Sequence, residues 1–172
     1  MDSEQFEAAK EKLKLSKVEL TGPPSLENLN SIAKKALYSI HYSNLSIHSP
    51  EAAETCVDWG TIFSRLILEN RPGCCYERSE VLFQLLVHLG YETVRLEAMC
   101  VSSLGTASTS RHEHMALGIR LDDEWWIVDS AWALLFSEGA IKGVGHNRYS
   151  LCSTYLRILI SLKTEIVMKA PL

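Results

Sequence analysis

The sequence predicts an α+β fold in which an N-terminal helical bundle is followed by an antiparallel β-sheet or barrel. Three observations carry that prediction. Apolar residues recur at helical spacing through the first half of the chain. From Glu92 the pattern changes to short apolar runs parted by polar turns, which read as strands. Gly90 stands where the two patterns meet, in the place of a helix C-cap. With 172 residues, 47% of them hydrophobic, the chain has enough apolar material for a packed core.

Ser3 to Leu13 reads as the first helix, with Phe6, Ala9 and Leu13 as its apolar stripe. Gly22-Pro23-Pro24 interrupts the chain. Ser25 caps the next helix, Glu27 places an acid in its first turn, and Leu26, Leu29, Ile32 and Leu37 give it one face. It runs to about Ile40, and His41 to Pro50 reads as a loop. A third helix spans Val57 to Glu69 and stops at Asn70-Arg71-Pro72-Gly73. A fourth runs from Cys75 to Leu89, burying Val81, Leu82, Leu85 and Leu86. Strands follow at Glu92 to Val101, Glu113 to Leu121 and Trp125 to Asp129, the last two joined as a hairpin across Asp122-Asp123. Ser102 to Ser110 is a polar loop, and Tyr149 to Met168 fits helix and strand equally. The expected division is 1–90 helical, 91–133 sheet and 134–172 a divergent C-terminal tail.

Charge and cysteine usage narrow the function. A net charge of -4, with no Lys/Arg run, leaves no footprint for nucleic acid or an anionic membrane. The charged N-terminal stretch does not read as a signal peptide, and Arg157, Lys163 and Glu165 interrupt the most apolar late segment. A cytoplasmic protein is expected, with no nucleic-acid or membrane partner. Five cysteines, two of them adjacent, argue against a disulfide framework and leave room for a reactive thiol.

Cys75 is the candidate nucleophile. It follows a proline–glycine break and opens a helix, where the helix dipole lowers a thiol's pKa. His114 lies in a strand and could act as its base; Asp129 ends the next strand and could orient the imidazole. Each has a plainer reading, respectively a buried inert cysteine, a structural histidine and a turn aspartate. Cys74, Cys75, His112 and His114 also pose a metal site, but adjacent cysteines lack the paired spacing of zinc ligands, and no metal is expected.

At these residues the chain resembles the arylamine N-acetyltransferases. Arg71-Pro72-Gly73-Cys74-Cys75-Tyr76-Glu77-Arg78-Ser79 is similar to the family's Arg-Gly-Gly-x-Cys-x-Glu-x-Asn. His114-Met115-Ala116-Leu117 matches its His-Met-x-Leu strand, and Val128-Asp129-Ser130-Ala131-Trp132-Ala133 resembles its aspartate turn. The spacings between the three sites agree as well, and the likeness runs over about residues 3 to 133. The resemblance implies a cysteine-protease-like core and a truncated third lobe. It implies a thioester on Cys75, with His114 as base and Asp129 as its orienter. The acyl donor is then acetyl-CoA, the acceptor a small aromatic amine, a hydrazine or an arylhydroxylamine, and no cofactor is permanently bound. Trp132 and Cys100 are the expected substrate-binding positions.

The departures are Pro72, Ala131 and Ala133 for glycines, Ser43 for a glutamate and Ser79 for an asparagine. Without the family's lid the sheet is expected to expose apolar surface or an open edge, which favours self-association. Two further readings accompany the transferase: a regulatory relative that keeps the fold and binds a ligand or partner, and a CoA-independent thiol hydrolase of Cys-His-Asp type.

Overall fold

The computed structural model describes residues 1–45, 58–102, 114–131, 139–142, 148–152 and 156–161, with backbone alone at 97–102 and in the last two stretches. Helix α1 (Ser3–Leu13) starts at Asp2, whose carboxylate accepts from the Gln5 N–H at 2.8 Å while Gln5 Oε1 accepts from the Asp2 N–H. This reciprocal cap fills two of the donors that every helix start leaves open. Helix α2 (Lys17–Thr21) repeats the device with Ser16 and Glu19. Ser16-x-x-Glu19 is its sequence signature. Helix α3 (Leu26–Ser39) opens on Ser25 as expected, with Ser25 Oγ accepting from the Asn28 N–H at 3.2 Å.

The expected third helix begins as α4 (Trp59–Phe63) and widens into a π-helical turn over Ser64–Leu68, where the Glu69 N–H reaches back to the Ser64 carbonyl at 2.9 Å. Helix α5 (Cys75–His88) is the fourth, and Gly90 at φ 85 ends it in the left-handed conformation that suits glycine.

Strands β1 (Glu92–Ser102), β2 (His114–Leu121), β3 (Glu124–Val128), β4 (Ile141–Lys142), β5 (Arg148–Cys152) and β6 (Leu156–Ser161) form one antiparallel sheet in the order β4-β3-β2-β1-β6-β5. Asp122 and Asp123, at φ 51 and 62, make the tight β2–β3 turn that right-handed strand twist favours. The C-terminal stretch left open between helix and strand is strand at Arg148–Cys152 and Leu156–Ser161, and it extends the sheet built by β1 to β3. Among the described residues, no helix is long and apolar enough to cross a membrane.

The core lies between helices and sheet. Leu29, Ile32, Leu66, Val81, Leu82, Leu85 and Leu86 meet Leu117, Ile119, Leu121 and Val128. Burying a side chain of this size stabilises the fold by about 1.5–3 kcal/mol. One polar tie joins the helices to the far end of the sheet. Asn30 Oδ1 on α3 accepts from the Ala140 N–H at 2.7 Å, and Gly139 beside it sits at φ 113. A Cβ at Gly139 would come 2.4 Å from Asn30 Oδ1, so both backbone conformation and space call for glycine.

Glu19 is a buried charge that joins α2 to α3. It accepts from Ser31 Oγ and Lys35 Nζ, each at 2.6 Å. Burial alone raises its pKa, but the hydrogen bonds from Lys35, Ser31 and Ser16 outweigh that and bring it down from 4.5 to about 2. A depressed folded-state pKa stabilises the protein fully above the unfolded value, and the contribution disappears as pH falls from 4.5 toward 2. Glu19→Gln is therefore expected to cost about 1–3 kcal/mol at neutral pH. The gap from wild type, measured by urea unfolding at a series of pH values, should close at the acid end. A gap independent of pH would contradict the ionised role of Glu19.

Candidate active site

The site begins at the turn into α5. The Gly73 N–H donates to the His41 carbonyl and the Gly73 carbonyl accepts from the Ser43 N–H, both at 3.0 Å. This clamps Gly73 beside Tyr42 in a parallel bridge. The Gly73 amide makes the clamp, so the amide that Pro72 lacks is not needed there. A Cβ on Gly73 would meet a Leu66 methyl at 2.9 Å, which fits glycine at that position. Glu77, only 1% exposed, folds back to accept from the Cys74 N–H at 2.9 Å and pairs with Arg65. The first turn of α5 is thereby fixed from both sides.

Cys74 and Cys75 are buried thiols, 5% and 8% exposed, and their side chains share a hydrogen bond. The bond from Cys75 is the foremost reason that Cys74 is lowered to about 7, against its burial and with help from the Glu77 amide. The same bond, burial and the charge on Cys74 push Cys75 up. The two thiols act on each other, because one ionised thiol in the pair opposes ionisation of the other. The Cys75 sulfur also lies against the backbone amide of Met115, next to His114.

The ladder between β2 and β3 brings the other two candidates together. Leu117 pairs with Val128, so the start of β2 lies beside the end of β3. His114 Nε2 and Asp129 Oδ2 are hydrogen-bonded there, both residues buried. The second carboxylate oxygen accepts from the Ala131 N–H at 2.8 Å, a bond that alanine makes as well as glycine would. Ser79, one turn along α5 from Cys75, donates to the Met115 carbonyl at 2.9 Å and lies 3.4 Å from Ser130 Oγ. Ser79 therefore ties the helix that carries the thiol to both strands.

Arg78 is a buried cation with no signal in the local sequence pattern. It is 2% exposed, donates through Nη2 to the Leu37 carbonyl at 2.8 Å, and leaves Nε without a partner. Burial lowers its pKa, while the charges of Asp129, Tyr42 and Cys75 act the other way. A positive charge thus lies behind the thiol and the carboxylate together.

Of the expected site residues, Cys75, His114 and Asp129 converge where α5 meets β2 and β3. Trp132 and His112 lie outside the described residues. Cys100 is on β1 opposite Ile158, with its side chain outside the described residues. Among the described residues, no group of three or more His, Cys, Asp or Glu could hold a metal ion.

A family model for N-acetyltransferase matches residues 25–140. The arylamine N-acetyltransferase, pineal gland isozyme NAT-3, of Gallus gallus is 28% identical over 113 residues, which are 66% of this chain and 38% of that protein. The arylamine N-acetyltransferase of Salmonella typhimurium superposes with a TM-score of 0.80 at 18% identity, over 96% of this chain and 65% of that one. The enzyme (BACCR)NAT3 of Bacillus cereus, described as having a unique Cys-His-Glu catalytic triad, gives a TM-score of 0.69 at 15% identity, over 83% and 54%. These two structures share the α+β fold, and the chain spans well under half of the curated protein it matches.

Glu77→Ala leaves the partly buried Arg65 unpaired and uncaps the Cys74 amide, and is expected to cost about 3–5 kcal/mol. Combining Glu77→Leu with Arg65→Met should cost less, because no charge is then left buried alone. Urea midpoints of the variants decide the point. A loss under about 1 kcal/mol for Glu77→Ala would mean that the pair does not hold the helix start.

Proposed function

The chain belongs to the arylamine N-acetyltransferase family, and we propose that it moves an acetyl group from acetyl-CoA to an arylamine, hydrazine or arylhydroxylamine nitrogen through a thioester on Cys75. The observation that carries this reading is the buried His114–Asp129 hydrogen bond beside the thiol at the start of α5. A nucleophile on a helix start, with base and orienter on adjoining strands, is the arrangement of a cysteine-protease-like core.

Each of the three residues then has one role. Asp129 engages Nε2 of His114, so the N–H sits on that nitrogen and Nδ1 is the one that accepts the thiol proton. The Cys75 sulfur then attacks the acetyl carbonyl of acetyl-CoA. A C–S bond to Cys75 forms, the C–S bond to CoA breaks, and the imidazolium returns its proton to the CoA sulfur. In the second half the amine nitrogen attacks the thioester and gives up its proton to Nδ1. Cys75 leaves as the thiol and the product is the amide. A general base that removes the proton as the attack proceeds spares the thiol from ionising beforehand, so the raised resting pKa of Cys75 does not block the reaction.

Asp129 serves here where the Bacillus cereus protein is described as using glutamate. The shorter side chain suits an orienter anchored by the next turn's amide, as the Ala131 bond supports. The donor is a substrate, no cofactor is retained, and reduced thiols at the site suit a cytoplasmic setting.

Incubation with acetyl-CoA followed by intact-protein mass spectrometry is expected to give one acetyl adduct, discharged by an arylamine. Cys75→Ala should give none, whereas Cys74→Ala should still acylate. Equal loss in both variants would remove Cys75 from its role. Asp129→Asn is expected to slow acylation by about 10²–10⁴-fold, since the histidine loses its preferred tautomer. A near-normal rate in that variant rules out the triad.

A further inference from the structure

We propose that Ser79 is a positioning residue for acyl transfer: its hydroxyl sets the spacing between the helix that carries the thiol and the strands that carry the base and its orienter. The proposal rests on the roles given above to Cys75, His114 and Asp129. Ser79 stands one turn after Cys75 on the same side of α5, and it is 0% exposed. A serine inside a helix commonly turns its hydroxyl back to the carbonyl one turn earlier, here that of Cys75. Ser79 instead donates across to the Met115 carbonyl at 2.9 Å. Met115 follows His114 directly. Ser130, whose hydroxyl oxygen lies 3.4 Å from that of Ser79, follows Asp129 directly. One side chain thus meets the immediate neighbours of both residues in the buried His114–Asp129 bond.

The direction of these bonds is fixed by proton count. A hydroxyl has one proton to give, and a carbonyl can only accept. The Ser79 proton goes to Met115, so Ser130 is the donor in the hydroxyl pair. The chain of bonds runs from the orienter's strand, through the helix, to the strand of the base. Its two links are unequal, since 2.9 Å is an ordinary length and 3.4 Å is long for two hydroxyls. The place matters because the β2–β3 ladder ends at Leu117 and Val128, two residues short of Met115 and Ser130. Beyond that end Ser79 supplies a tie that the ladder does not. A serine also reaches one bond less far than the asparagine it replaces, so its bond to Met115 requires α5 to lie closer to β2.

The test uses the full chain and two independent measurements. Proton NMR follows the imidazole N–H shared by His114 and Asp129, and acylation by acetyl-CoA is timed across pH. In Ser79→Ala the acylation rate constant is expected to fall about 10–10²-fold, with KM for acetyl-CoA little changed. The limb of the pH profile that reports the imidazole should move, and the shared N–H resonance should shift upfield or exchange too fast to be seen. Ser79→Thr keeps the hydroxyl and should retain both signals. Ser130→Ala removes only the long link, so it should show a smaller effect of the same kind, and it serves as the probe if Ser79→Ala does not fold. A folded Ser79→Ala with a lower urea midpoint but wild-type resonance and pH profile would overturn the proposal. So would a folded Ser79→Thr that behaves as the alanine variant does. Absence of acylation in wild type would instead remove the transferase reading, and the resonance would still report whether Ser79 holds the His114–Asp129 pair.

Discussion

The carboxylate of Glu77 fixes the point at which helix α5 begins, and the site depends on that point. It is enclosed by protein, pairs with Arg65 and takes up the Cys74 amide. A charge in that position is tolerated only while its partners stay in place. The arrangement therefore behaves as a lock. With the pair intact, the extended-to-helical junction sits between residues 74 and 75, and the Cys75 thiol falls against β2. A helix that began one residue later would turn the side chains by roughly 100° and carry the sulfur away from His114.

Buried polar groups are unusually dense along this interface. Glu77, Arg78, Ser79 and Glu80 occupy consecutive positions of α5, and all four are enclosed. Each turns to a different neighbour: the α4 side through Arg65, α3 through the Leu37 carbonyl, the β2–β3 end through Met115 and Ser130, and β1 through Arg95. The apolar residues Val81, Leu82, Leu85 and Leu86 then supply the burial energy further along the helix. The two ends of α5 have separate tasks. The N-terminal end specifies geometry, and the C-terminal end supplies most of the hydrophobic stabilisation.

Much of this was legible in the sequence because it is local. Ser25 as a cap, Gly90 as a stop, the Asp122-Asp123 turn and the apolar faces of α1, α3 and α5 each follow from neighbouring residues. The partnership of His114 and Asp129 was readable from their places on neighbouring strands. What periodicity could not give was non-local. Tyr149 to Met168 has no periodicity to separate strand from helix, and β6 is defined by its pairing with β1, far back in the chain. The burial of Arg78 depends on Leu37 and Asp129, neither of them near it in sequence. The mutual influence of the Cys74 and Cys75 thiols depends on two side chains at once, which dipole reasoning on single residues does not include.

The order of the three site residues along the chain is also an order in time. A ribosome adds about 5–20 residues per second. Synthesis from Cys75 to Asp129 therefore takes about 3–10 seconds. Through that interval the nascent chain holds its thiol pair without the imidazole, and Ser79 has neither of its strand partners. The helical half is present first, and the His114–Asp129 pair is completed last, when β3 closes against β2. A stall in translation between these points would leave Cys74 and Cys75 without the strands that enclose them in the finished fold. Codon usage over that stretch, and not only its protein sequence, thus bears on how much of the newly made chain reaches its finished site intact.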